Sequence, residues 1–276
     1  NAELEDTILG SKPRRMPPLT TIDGNFKRLF NTAVSKTNLT LKHMVLTHGK
    51  ADLGGAILAG GLVTVENVVF TENEATQAGG AVYLSGRDSS FSAIESSLKI
   101  NKADKGAALG MSCIDYLNPL VRNITITSSS IIGNGSTENT SIIHGCGKIS
   151  LTIDTSTIAQ NTAKTTGGIL YFADPQIDVA SVLTLNSTTV VENKTSPAII
   201  YGKLGLLSLN SSIIAFNDLG CAASTGSSTL YNNGDSVGAY NTLQKCPLTY
   251  SSTNTSPKLD IILDALPDAN FETELH

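Results

Sequence analysis

Seven thirteen-residue windows of this chain align without gaps: Leu39–Ala51, Val63–Ala75, Phe91–Ala103, Ile124–Ser136, Leu151–Ala163, Leu183–Thr195 and Leu207–Leu219. Their starts lie 24, 28, 33, 27, 32 and 24 residues apart. Constant windows with gaps of changing length describe a fixed structural rung joined by loops of differing size. Self-similarity at such a period marks an architecture in which each repeat buries its apolar face only by stacking on its neighbours.

Each window opens with a period of two, as in a strand whose side chains alternate between faces. Positions 1 and 3 are apolar in every copy, from Leu39 and Leu41 to Leu207 and Leu209, and are expected to face a core. Position 2 is Thr40, Thr64, Ser92, Thr125, Thr152, Thr184 and Ser208, an outward hydroxyl column. Position 8 is apolar again (Leu46, Phe70, Leu98, Ile131, Ile158, Val190, Ile214), so a second short strand follows a bend. Position 11 reads Gly49, Asn73, Asn101, Asn134, Asn161, Asn193 and Asn217. Gly and Asn share tolerance of left-handed backbone, and an Asn amide can bond to copies stacked above and below it, so this column predicts a tight turn with a side-chain ladder.

A Gly-rich motif then leads into a third strand, as in Gly54-Gly55-Ala56-Ile57, Gly79-Gly80-Ala81-Val82, Gly106-Ala107-Ala108-Leu109 and Gly167-Gly168-Ile169-Leu170. Leucine-rich repeats share the period but require a helix or a Leu-x-x-Leu-x-Leu pattern, and no window has helical periodicity. The expectation is an all-β right-handed parallel β-helix, a solenoid of about eight to nine coils with three short strands each. At the strand spacing of about 4.8 Å, seven coils span about 34 Å. Residues 1–19 would cap the N-terminal end, 20–250 form the solenoid, and 251–276 form a C-terminal tail or cap, because open solenoid ends invite edge-to-edge growth.

Composition agrees with such a coil and narrows its partners. Ser, Thr and Asn number 29, 31 and 21 of 276 residues, and only 16% are charged, so hydroxyls and amides rather than charges keep the surface wet. At 40% hydrophobic the chain is too apolar for a disordered linker. A net charge of −5, with no basic run longer than Arg14-Arg15, cannot supply the stripe that a phosphate backbone requires, so no nucleic-acid partner is expected. No apolar run approaches the roughly 18–20 residues of a membrane span, and Asn1 opens no leader-like segment. The chain therefore reads as a soluble piece, processed or cut from something longer.

The pattern Leu-Thr-Leu-x-x-x-x-Ile-x-x-Asn followed by Gly-Gly-Ala-Ile resembles the right-handed parallel β-helix repeats of bacterial surface proteins. Phe70-Thr71-Glu72-Asn73 with Gly79-Gly80-Ala81-Val82 is similar to the polymorphic outer-membrane adhesins. The run Asn210-Ser211-Ser212-Ile213-Ile214-Ala215-Phe216-Asn217, then Cys221, Tyr240-Asn241-Thr242-Leu243 and Cys246, resembles the choice-of-anchor Q proteins. The resemblance covers about residues 20 to 276 and implies the fold, a secreted or cell-surface location and a Cys221–Cys246 pair. It also implies that the segment from Ser256 to His276 continues further in relatives, so the chain is expected to be truncated.

Cys113 and Cys146 lie one repeat apart near equivalent third-strand places, within reach of each other on adjacent coils. Four cysteines without Cys-x-x-Cys spacing favour disulfides in an oxidising compartment over a zinc site, with buried thiols as the alternative. For chemistry the sequence offers little. Asp52 and Asp104 share a column but sit two coils apart, about 9.6 Å, at the outer limit for an inverting carboxylate pair. His43, His48 and His144 have no metal-ligand or triad spacing and read as surface or turn residues. No catalytic residue, metal or cofactor is therefore assigned.

Tyr83 and Tyr171 fall at matching third-strand positions and, with Phe172 and Tyr201, form a candidate sugar-stacking platform, the alternative being packing under loops. The outward Thr/Ser column raises ice binding as a remote reading, although it offers one hydroxyl per rung where such arrays show two. Eight Asn-x-Ser/Thr sequons begin at Asn38, Asn123, Asn134, Asn139, Asn186, Asn193, Asn210 and Asn254, a number that this Ser/Thr/Asn content produces by chance. The leading expectation is a monomeric, exported, non-enzymatic adhesin or binding module for a host or environmental glycan or protein receptor. A polysaccharide lyase or glycoside hydrolase of the β-helix type is the competing class.

Overall fold

The computed structural model describes residues 19–113, 121–135, 141–163, 168–173, 181–194, 200–202, 204–217, 222–224, 229–231, 242–243 and 261–262. All regular elements among them are β-strands, and every strand pairing is parallel between successive turns of a solenoid. First strands run through Ser90–Ile94, Arg122–Thr127, Ile149–Asp154, Ser181–Asn186 and Leu204–Asn210. Second strands follow at Ser97–Lys99, Ser130–Ile132, Thr157–Ala159, Thr189–Val191 and Ile213–Ala215. Third strands form a separate eight-stranded sheet from Phe30–Asn31 through Ile57–Ala59, Val82–Leu84, Leu109–Met111, Ile143–Cys146, Leu170–Ala173 and Ile200–Gly202 to Ala222–Ser224. In the two earliest full turns a single strand (Leu39–Thr47, Leu62–Thr71) continues round the bend, joining the first and second faces into one sixteen-stranded sheet.

The turns from Leu39 to Gly202 make about six, and strands at 204–224 continue the stack. This is below the eight to nine coils expected. The opening segment gives only Thr20–Asp23 and Phe30–Asn31, two short strands laid on the first full turn, and the closing segment lies mostly outside the described residues.

Alternation puts the core where the pattern implies. Val63, Val65, Phe91, Ala93, Ile124, Ile126, Leu151, Ile153, Leu183 and Leu185 are buried, as are Leu46, Phe70, Leu98, Ile131, Ile158, Val190 and Ile214 at position 8. Each large aliphatic side chain so buried contributes about 1.5–3 kcal/mol over exposure. The register holds like on like: Thr64 pairs with Ser92, Ser92 with Thr125, Thr125 with Thr152, and Thr152 with Thr184. Along this hydroxyl column Thr40 and Thr125 are exposed and Thr64, Ser92, Thr152, Thr184 and Ser208 half-buried.

The asparagine column is a continuous buried hydrogen-bond ladder. Asn101 Oδ1 accepts from both the backbone N–H and the Nδ2–H of Asn73, and the same pair of bonds repeats from Asn101 to Asn134, Asn134 to Asn161, Asn161 to Asn193 and Asn193 to Asn217, all at 2.9–3.1 Å. The second amide hydrogen goes to the carbonyl of the inward second-strand residue one turn back: Leu46, Phe70, Leu98, Ile131, Ile158 and Val190. Gly49 heads the ladder, its N–H donating to Asn73 Oδ1 at 2.9 Å.

One expectation about this column changes. The left-handed residue is the one before it: His48, Glu72, Ile100, Gly133, Gln160, Glu192 and Phe216 have φ between 51° and 64°. Asn occupies the next position because its amide satisfies two backbone groups left unpaired by the bend and the side chain of the asparagine one turn earlier, not because its own backbone is strained. A second corner was not legible in the pattern. His43, Asn67, Glu95, Ser128, Thr155, Ser187 and Ser211 are also left-handed, with φ of 45–53°, and each precedes position 6. There Ser96, Ser129, Ser156, Thr188 and Ser212 are buried, each hydroxyl donating to the carbonyl two residues back. Ser96, Ser129, Ser156 and Ser212 also accept the N–H of Val68, Ser96, Ser129 and Thr188 one turn earlier.

Candidate functional site

The third strand differs from the other two in what it turns outward. Its middle residues stack in register as Leu58, Tyr83, Gly110, His144, Tyr171 and Tyr201. Tyr83 and Tyr171 are half-buried, flanked along the chain by inward Val82, Leu84, Leu170 and Phe172. The structure thus brings Tyr83 and Tyr171 into one column, with the Tyr201 backbone next in register. It removes Phe172, which is 3% exposed and packs in the core, because adjacent residues of a strand point to opposite faces.

The column contains a residue that spacing assigned to a turn or surface. His144 lies between Gly110 and Tyr171, and is only 8% exposed. The Tyr171 ring covers it at a centroid distance of 4.9 Å and 34° between planes, and Ser141 Oγ lies 3.3 Å from Nδ1. Burial, and then the positive charge of Lys105, push the imidazole pKa down to about 4, so at neutral pH His144 is an uncharged ring. Gly110 leaves one rung without a side chain. A Cβ there would meet Gly79 N at 2.7 Å and Tyr83 Cδ2 at 3.1 Å, so Tyr83 leans over the gap.

Cations stand at both edges of this column. On the entering edge Lys105 is exposed, and its carbonyl accepts the Gly79 N–H at 2.8 Å beside Gly110. On the leaving edge Arg122 is 4% exposed. Its guanidinium donates to the carbonyls of Ser112, Cys146 and Gly86 and to Ser112 Oγ, while Nε has no partner. Burial lowers its pKa, and Tyr83 and Asp88 oppose that shift; Tyr83 is itself held above the ordinary phenol value by burial. No carboxylate among the described residues lies within ion-pair distance of Arg122. Arg122 was legible in one respect: two residues before inward Ile124, alternation directs it inward.

Cys113 and Cys146 form a disulfide across adjacent turns, with Cα atoms 4.8 Å apart, beside the carbonyls that hold Arg122. Cys221 and Cys246 lie outside the described residues. Asp52 accepts a 2.8 Å bond from Thr76 Oγ1 on the turn between it and Asp104. His43 and His48 sit at left-handed corners; His48 Nδ1 lies 3.0 Å from Asp23 and Nε2 3.4 Å from Glu72, and it is held above its ordinary pKa chiefly by Asp23. Among the described residues no group of three His, Cys, Asp or Glu is placed to hold a metal, and no helix is long and apolar enough to cross a membrane. Of the sequon asparagines, Asn134 and Asn193 are fully buried in the ladder. No protein family, no curated protein and no solved structure matches this chain.

Proposed function

We propose that this protein is an exported, surface-displayed binding module, an adhesin-type solenoid that acts without catalysis and engages an extended glycan or protein receptor across its third-strand face. The observation that carries this reading is the outward column of Tyr83, Gly110, His144 and Tyr171, among the described residues the one strand face where aromatic rings line up at rung spacing. Half-buried tyrosines supply large contact area at little conformational cost while keeping a polar end for hydrogen bonds. The Cys113–Cys146 bridge supports an oxidising compartment, and the motif resemblance to bacterial surface repeats supports display on a cell.

A test pairs two assays on the same preparation. Incubation with uronate-containing and neutral polysaccharides should release no reducing ends or unsaturated products, whereas a glycan array and a cell-binding assay should give a signal that falls at least tenfold in a Tyr83→Ala/Tyr171→Ala variant. Depolymerisation that disappears on Asp52→Ala or Asp104→Ala would contradict the reading and favour the hydrolase or lyase class.

A further inference from the structure

We propose that the N-terminal end of the solenoid is a docking edge for an extended, acidic segment of a partner protein, which adds a parallel strand against Leu39–Lys42. The site is separate from the third-strand face and does not depend on the reading given for that face.

The edge follows from the register. First strands of the later turns each pair with the first strand of the turn before. The strand Leu39–Thr47 is paired towards the N-terminal end only along Met44–Thr47, by Thr20–Asp23. Among the described residues no strand pairs with the outer side of Leu39–Lys42. Thr20 lies opposite Met44, so the same register sets Leu39–Lys42 opposite Arg15-Met16-Pro17-Pro18. That run lacks the apolar–polar–apolar pattern of the other first strands, and a proline has no N–H to give to a ladder. The continuous sequence therefore offers no strand suited to this place.

Backbone and side chains both equip the edge for strand addition. Thr127, Asp154, Asn186 and Asn210, the equivalents of Lys42, each accept at their carbonyls an N–H from the turn before, and the Leu62 N–H turns back to Asn38 Oδ1. By that alternation Thr40 and Lys42 direct their N–H and C=O groups outward from the end. Ile22, Leu29, Phe30, Leu39 and Met44, the partly buried apolar residues packed on the core, all belong to this end, whereas Val63, Phe91 and Ile124 in the column of Leu39 are buried. Phe26 and Val34, at 71% and 96% the most exposed large apolar side chains among the described residues, lie in the segment that leads into the edge.

Charge names the partner. Lys27, Lys36 and Lys42 are exposed, and no Asp or Glu occurs between Asp23 and Asp52, so this end is cationic. Two such ends repel each other, as lysines on exposed strand edges do, which disfavours a second copy. The next turn shows the complement: Val63-Thr64-Val65-Glu66 lies opposite Leu39-Thr40-Leu41-Lys42, with Glu66 ion-paired to Lys42. An incoming strand of the same kind, apolar–polar–apolar–acidic, covers Leu39 and Leu41 and brings its carboxylate to the lysines. Main-chain bonds then supply affinity and the alternate side chains specificity.

The test titrates the full chain with a short fluorescent peptide carrying Val-Thr-Val-Glu, beside one with both valines replaced by serine and one with lysine in place of glutamate. The first peptide should bind saturably and at least tenfold tighter than either control. It should slow amide exchange at Thr40 and Lys42, which in the free chain exchange faster than Thr64 and Glu66. Lys42→Glu, with the fold confirmed by circular dichroism, should cut the preference for glutamate over lysine at least threefold. Absence of binding, equal binding of the three peptides, a preference unmoved by Lys42→Glu, or protection elsewhere overturns the proposal. Thr40 and Lys42 amides that are as protected in the free chain as Thr64 and Glu66 overturn it too: protection independent of concentration assigns the edge to residues 1–18 of this chain, and protection lost on dilution assigns it to a second copy.

Discussion

At the scale of single residues, the solenoid is governed by side chains that satisfy backbone groups at its corners. Asn134 serves Asn101 N–H, Asn101 Nδ2 and the Leu98 carbonyl, so Asn134→Ala leaves several polar groups buried and unpaired. Each such group costs about 1–3 kcal/mol, and a loss of roughly 3 kcal/mol in denaturant unfolding is expected, with Asn134→Asp no rescue because it removes the donors. The motif reading found this column by its repetition, yet placed the left-handed backbone one residue late. The side chains at the true position range from Glu72 to Ile100 and Phe216, and so share no chemical mark. The buried hydroxyl corner escaped for a related reason: it begins with Met44 and Val68 before becoming Ser96, Ser129, Ser156, Thr188 and Ser212, and an isolated serine column is indistinguishable from surface until its register is known. His144 gives a pH signature of its own. Its folded pKa is depressed to about 4 from 6.5, so the unfolded chain binds the extra proton between those values. Stability is then full above pH 6.5 and falls as pH drops towards 4, an effect that His144→Gln should abolish in thermal melts. His48 works in the opposite sense: its raised pKa means that its pairing with Asp23 is complete below pH 6.5 and lost as pH rises through the folded value, while the lowered Asp23 pKa removes the same contact in strong acid. Protection of the Gly24 and Phe26 amides, which bond to Thr47 and His48, should therefore be greatest at mildly acidic pH once the intrinsic exchange rate at each pH is divided out.

At the scale of strands and corners, close packing between turns decides which glycines are obligatory. A Cβ on Gly80 would lie 2.2 Å from the Ala107 carbonyl oxygen and 2.5 Å from that of Lys102, both backbone atoms of the next turn. Gly80→Ala must therefore spread the turns and should cost about 1–3 kcal/mol or more. Gly135 is the control: nothing lies within 4 Å of its Cβ direction, so Gly135→Ala should change stability by less than about 1 kcal/mol and in the stabilising direction. Urea unfolding midpoints compare the two. Strand faces were legible where the window is rigid, because positions 1, 3 and 8 fix direction by alternation. The third strand follows a connection of variable length, so counting could not fix its phase. Phe172 therefore seemed available to ligand when it packs inside, and His144 seemed a turn residue when it forms part of the column.

At the scale of the whole molecule, the seven-window stack is held by local contacts between neighbouring turns and, among the described residues, by one covalent link. Cys113–Cys146 spans 33 residues, and in the chain-entropy account a loop of that size contributes roughly 3–4 kcal/mol, so a Cys113→Ser/Cys146→Ser variant should unfold at distinctly lower denaturant concentration. Fold class followed from the sequence because a repeat of this kind has few structural solutions, whereas coil number did not, since the irregular ends lack the window that marks a turn. Function was less legible still: the resemblance names surface proteins of many roles, and the residues singled out for binding acquire a common address only once the register aligns Tyr83, Gly110, His144 and Tyr171. The proposed binding face is that address. Its most direct test is a hydrogen-exchange footprint of the chain on receptor-bearing cells or on its bound glycan. Protection should concentrate at 82–84, 109–111, 143–146 and 170–172; protection centred on the Thr40 to Ser208 hydroxyl column, or none on any strand face, would contradict it.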